Sequence, residues 1–171
     1  MDKKRPSENE YSTFYHTYIG KVVGNDIIQI LKDRKEEFVK FLKSIPEDKW
    51  LYKYGVDKWT IKEAVMHVID TERIFAYRAL RASRKDPSPM AGFEQDDYVP
   101  NSDANNRSAI SIIQEFSLQR DANIAFLENI NEEMATYQSE ASGLPVTARS
   151  LAYMIAGHEI HHHHIIEERY L

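Results

Sequence analysis

Four long stretches of this sequence repeat their apolar residues at helical spacing, and none alternates apolar with polar residues convincingly enough to read as a strand. A helix with one apolar stripe must bury it against other helices, so the patterning predicts an all-α four-helix bundle. The first stretch, about residues 26–44, aligns Ile27, Leu31, Phe38, Phe41, Leu42 and Ile45, with Asn25 as its candidate cap and Pro46 closing it. The second opens on Thr60-Ile61-Lys62-Glu63, a capping box in which hydroxyl and carboxylate satisfy orphan amides reciprocally. It runs to about Ser83 with Ile61, Ala64, Val65, Val68, Ile74 and Phe75 inward. The third, about 106–131, turns Ile110, Ile113, Phe116, Ile124, Leu127 and Ile130 inward, and Arg120 and Asn123 interrupt that stripe. Gly143 and Pro145 then break the chain, Thr147 can cap, and the fourth helix covers about 148–170.

The segments between the helices differ in character. Residues 46–59 carry Trp50, Tyr52, Tyr54 and Trp59, which read as a lid on the core, since no basic cluster accompanies them as nucleic-acid stacking would require. Residues 84–105 form a polar connection with Pro87, Pro89, Gly92 and Pro100, long enough to mark a crossover or a functional segment. Residues 1–23 read as an N-terminal arm, with Tyr11, Phe14, Tyr15 and Tyr18, packed on a domain of residues 24–171. A net charge of −5 disfavours nucleic acid, no apolar run reaches membrane-spanning length, and the N-terminus lacks a signal peptide's apolar core. The chain has no cysteine, which excludes a thiol nucleophile or thiolate ligand of its own and fits a cytoplasmic protein.

The chemistry concentrates in Gly157-His158-Glu159-Ile160-His161-His162-His163-His164, which holds five of the seven histidines. The helical pattern continues past it through Ile165 and Arg169, so this is not a purification tag. Leu151, Ile155, His158, His162, Ile165 and Arg169 share one stripe, which places His158 and His162 four apart among core-facing positions. Two buried imidazoles are costly without partners, and an i, i+4 pair can grip one metal ion. The same residues spell a His-Glu-x-x-His zincin pattern with Glu159 as base, but the chain ends nine residues after His162, too soon for the downstream third ligand. A third ligand must come from upstream, where His67 on the second helix is a better candidate than His16, and an inward Asp or Glu is the alternative. His161, His163 and His164 fall partly on other faces. Arg120 either snorkels to water, pairs internally with an acid such as Glu72, or faces the metal cavity and holds an anionic substrate. The last is the expectation carried forward, with Asn123 adding a hydrogen bond.

Residues 58–67, Lys-Trp-Thr-Ile-Lys-Glu-Ala-Val-Met-His, followed by Asp70-Thr71-Glu72-Arg73-Ile74-Phe75-Ala76-Tyr77-Arg78-Ala79-Leu80, resemble the second helix of the DinB-like (DinB/YfiT) superfamily. Phe93-Glu94-Gln95-Asp96-Asp97-Tyr98-Val99 is similar to its crossover loop, and residues 152–162 with Glu168-Arg169-Tyr170-Leu171 are similar to its last helix. The resemblance spans roughly residues 24–171. It implies an up-down-down-up bundle with a divalent metal held by three histidines, here His67, His158 and His162. Members include bacillithiol-using S-transferases, mycothiol-dependent isomerases and proposed metal-dependent hydrolases.

The expectation is therefore a metal-dependent enzyme with one divalent ion (Zn, Ni or Fe). It would transfer a low-molecular-weight thiol to an electrophile, or hydrolyse a small-molecule substrate. The alternative is a non-catalytic metal-binding or dimerisation module, with a homodimer as its assembly. An enzyme should show a polar cavity beside the metal; a structural site should be closed by a fourth protein ligand.

Overall fold

A computed structural model describes residues 4–171. Short 3-10 turns at Glu8–Glu10 and Thr13–Tyr15 lead into α1 (His16–Ile19), followed by the long helix α2 (Ile27–Ser44). Then come α3 (Ile61–Ser83), α4 (Gln95–Asn101), α5 (Ala109–Glu128), α6 (Glu132–Thr136), the strands β1 (Ser139–Ala141) and β2 (Leu144–Val146), and α7 (Ala148–Arg169).

The helices α2, α3, α5 and α7 form the bundle, and cross-helix pairs fix its order. Lys32 and Lys35 of α2 meet Glu128 and Asp121 of α5, so these two run antiparallel. On α3 and α5 the positions rise together, Ile69 with Gln119 and Glu72 with Asn123, so they run parallel. Arg34 and Phe38 of α2 meet Glu159 and His163 of α7, again parallel, while His67 of α3 meets His162 near the far end of α7. The result is up-down-down-up. The connection across residues 84–108 is long because two consecutive parallel helices need the chain carried back to the starting end.

The apolar core falls into two clusters. One joins Ile27 and Leu31 to Phe75, Ile124, Leu127 and the first half of α7. The other joins Phe38 and Leu42 to Ile61, Val65, Phe116 and Ile166. Between them every bundle helix contributes polar side chains at one level: Arg34, then His67 and Glu72, then Arg120, then His158, Glu159, His162 and His163. Buried polar groups survive only when partnered, so this layer is where the fold commits to chemistry.

Several local expectations are corrected. Asp26, not Asn25, caps α2 by accepting from the Gln29 amide. The third bundle helix starts at Ala109 rather than 106, because Ser108 caps it through the Ser111 amide. Ile110 is 78% exposed: the buried stripe runs through Ile112, Phe116, Arg120, Ile124 and Leu127, and Ile110 lies off it. The hairpin β1–β2 was not expected. It turns on Ser142 and Gly143, both with positive φ (54° and 74°), as the two-residue type I′ loop demands. Its flanks bridge to Tyr11 and Met90, pinning the hairpin between the N-terminal segment and the chain after α3.

Candidate metal centre

The centre begins with the helix that carries most of it. In α7 every residue from Ala148 to Ile160 is buried, a distribution no amphipathic stripe would produce. Small residues make this geometrically feasible, Gly157 above all. A Cβ there would lie 2.1 Å from the backbone oxygen of Tyr18, so the N-terminal segment crosses α7 at a distance only glycine allows. That crossing sets the Tyr18 ring edge-on to both His158 (5.3 Å between centroids) and His161 (5.5 Å). The segment is anchored at its other end by Glu10, which accepts hydrogen bonds from Arg149 and from the Thr147 hydroxyl.

His67 enters from α3, less than two turns past the Thr60 capping box, with the Trp59 ring 4.8 Å from its own. Its Nε2 lies 3.1 Å from Nε2 of His158, which in turn lies 3.1 Å from Nε2 of His162. Three imidazoles thus aim the same atom at one point. Nitrogens bound about 2.05 Å from a metal lie about 2.9 Å apart at right angles and about 3.3 Å apart at tetrahedral angles. The observed spacing falls between. The His67 Nδ1 faces the Thr71 hydroxyl at 3.5 Å, a long contact that favours Nε2 as the inward atom.

Burial holds all three rings neutral. The His67 pKa is lowered to about 4 by desolvation, with positive charge on His161 adding to the effect. Desolvation and the neighbouring histidines hold His158 and His162 well below the ordinary imidazole range. A neutral imidazole presents the lone pair that a metal needs. Among the described residues no Asp, Glu or further His joins the three at ligand distance. Two cavities reach them. One, of about 420 Å³, touches His67 and His158 and is walled by Tyr15, Tyr18, Phe75 and Phe93. The other, of about 330 Å³, touches His162 beneath Trp59 and Tyr170.

The remaining polar residues of the layer are otherwise engaged. Arg120 does not face the histidines as an anion receptor, contrary to the expectation. Its Nε and Nη2 each donate to Glu72 at 2.8 Å, and Asn123 donates to the same carboxylate at 3.0 Å. A fully buried cation on α5 takes the nearest buried acid, and Glu72 supplies it. Glu159 points away from the triad into a two-pronged pair with Arg34, which also bonds the ring of His163, so the zincin-like spelling is accidental. His163 packs on Phe41, while His164 is exposed. One residue that sequence reasoning passed over lines the larger cavity: Arg78, on the same α3 face as His67, Thr71 and Phe75. The signal was available in that spacing, since eleven residues return a helix to nearly the same azimuth.

The fold and the chain have known relatives. No curated protein matches the sequence. Among solved structures, YfiT from Bacillus subtilis, described as a probable metal-dependent hydrolase with an unusual four-helix bundle topology, superposes with a TM-score of 0.75 at 13% identity. It covers 98% of this chain and 92% of its own. A mycothiol-dependent maleylpyruvate isomerase superposes with a TM-score of 0.68 at 10% identity, over 84% of this chain and 61% of its own. At such identities the likeness speaks for the fold. The DinB superfamily profile matches residues 30–166, most of the sequence, and the chain belongs to that superfamily.

Proposed function

We propose that this chain is a metal-dependent enzyme that binds one divalent ion through His67, His158 and His162 and transfers a low-molecular-weight thiol to a small electrophile. The observation that carries the reading is the convergence of three buried, neutral Nε2 atoms with no fourth side-chain ligand among the described residues and with two cavities opening on them. A structural site would be closed by protein. The donor set fits zinc, nickel or iron. An ion held there supplies Lewis acidity, its two positive charges uncompensated by neutral ligands and available to stabilise a thiolate or acidify water.

The chain's own residues do the rest. Trp59 and Tyr18 pack against His67 and His158, fixing the rings and excluding bulk water from one side. Thr71 stands behind His67 and orients it. With no cysteine in the sequence, the sulfur must arrive on a cosubstrate. A thiol needs less activation than water as the nucleophile, because a thiol ionises near pH ~8.5 and bulk water only near ~15.7. Hydrolysis is the second reading, and the likeness to YfiT favours it.

The test is metal content of untagged protein, followed by assay of the loaded enzyme with small aliphatic thiols and monochlorobimane, and separately with p-nitrophenyl esters. Metal-dependent conjugation that disappears in His158→Ala supports thiol transfer. Ester cleavage without conjugation supports the second reading. Protein that takes up no divalent metal refutes both.

A further inference from the structure

Three arginines are buried among the described residues: Arg78, Arg120 and Arg149. Two of them are neutralised. Arg120 is matched by Glu72, and Arg149 by Glu10 and Glu132. Arg78 is only 4% exposed, yet among the described residues no carboxylate lies within ion-pair distance of it. Its Nη2 donates to the Ala91 carbonyl (2.7 Å) and to the Ser142 hydroxyl (3.0 Å), which tether the group without cancelling its charge. Desolvation lowers its pKa, with the neighbouring Tyr15 opposing, whereas Arg120 and Arg149 are raised by their partners after desolvation is offset. A buried guanidinium without an anion is costly, and folds rarely keep one unless a ligand supplies the missing charge.

The position of Arg78 says which ligand. It lines the same cavity as His67 and His158, between walls that include Phe14, Phe75, Phe93 and Leu144. Arg78 and His67 stand eleven residues apart on one helix face, about 16 Å of helix axis, so a molecule touching both is elongated. Ser142 sits at the tip of the hairpin in a left-handed conformation that side chains other than Gly, Asn or Asp seldom adopt, and from there its hydroxyl reaches Arg78. The one acid lining this cavity, Glu94, is exposed and disfavours a ligand of high negative charge.

We propose that Arg78, flanked by Ser142 and Tyr15, binds the carboxylate of an elongated, apolar-bodied monocarboxylate whose other end lies at His67 and His158. The assignment of that other end as the reacting end rests on the metal-enzyme reading above; the carboxylate subsite does not.

The experiment measures binding of 6-phenylhexanoate and of its neutral primary amide to the zinc-loaded and the EDTA-stripped protein, by calorimetry. The acid is expected to bind wild type at least about tenfold more tightly than the amide in both preparations, as a charge-assisted pair to a buried guanidinium implies. Arg78→Met should abolish that preference while metal content stays at the wild-type level. Arg78→Lys should keep a reduced preference, and it keeps the idea testable if the methionine variant folds poorly. Equal binding of acid and amide, no binding of either, or a preference that survives Arg78→Met would each overturn the proposal. A protein that takes up no zinc but still prefers the acid through Arg78 would refute the metal reading and leave the subsite standing.

Discussion

Arg120 of α5 donates two hydrogen bonds of 2.8 Å to Glu72 of α3, and neither side chain reaches solvent. The pair ties two parallel helices at the level where the apolar core is interrupted. Removing one partner should therefore cost far more than removing both. Glu72→Leu leaves a buried cation and is expected to lower stability by about 3–5 kcal/mol. The double variant Glu72→Leu/Arg120→Met should recover most of that loss, since two apolar groups of similar bulk need no counter-charge. Urea unfolding of the two single variants, the double variant and wild type closes the cycle. Simple additivity of the single losses would show that the two residues do not act as a pair.

Much of this architecture could be read from residues alone, and the failures have physical causes. The capping box at Thr60 and Glu63 and the cap at Thr147 mark two helix starts correctly, because capping is local chemistry. His67, His158 and His162 come together as the superfamily resemblance implied. Arg120 misled because periodicity shows that a charge faces inward but not which acid it meets. Arg78 was overlooked because its helix pairs Arg73 and Arg81 with acids, and only the folded chain reveals that Arg78 meets none among the described residues. The hairpin is three residues per strand, too short for alternation to register, and its turn uses serine where asparagine or glycine would have signalled it.

Gly157 offers a test in which propensity and packing disagree in sign. In an ordinary helix interior, glycine to alanine gains about 0.5–1 kcal/mol. Here the new methyl would meet the Tyr18 backbone oxygen at 2.1 Å, so α1 must move away from α7. Gly157→Ala is expected to lower the melting temperature by several degrees and to speed limited proteolysis in the first two dozen residues. A melting temperature equal to or above wild type would mean that the N-terminal segment does not pack here.

His162→Ala should remove the metal and spare the fold. The site occupies one layer, while the two apolar clusters on either side of it owe nothing to the ion. Far-UV circular dichroism should keep its helical amplitude while bound metal falls to background. Collapse of helicity on chelation of wild type would instead make the ion structural.

Acid should find the same site, with a direction set by burial. The pKa of His67 is lowered to about 4 by desolvation, with His161 adding to it, and His158 and His162 are lowered by desolvation and by their histidine neighbours. In the unfolded chain these rings take up protons near pH ~6.5. Between that pH and about 4 the unfolded state therefore binds more protons than the folded one, and stability falls as pH falls. Above pH ~6.5 both states hold neutral rings and the contribution is fully present. His67 alone should account for about 3 kcal/mol by the bottom of that window, and the other two rings act in the same direction. A bound divalent ion selects the neutral rings of the folded state, so loaded protein should hold its stability to lower pH than stripped protein. Urea midpoints measured with EDTA and with excess zinc, from pH 7.5 down to 4.5, read the difference directly. A stripped protein whose midpoint stays flat across the window would show that these three rings are not buried as neutral bases.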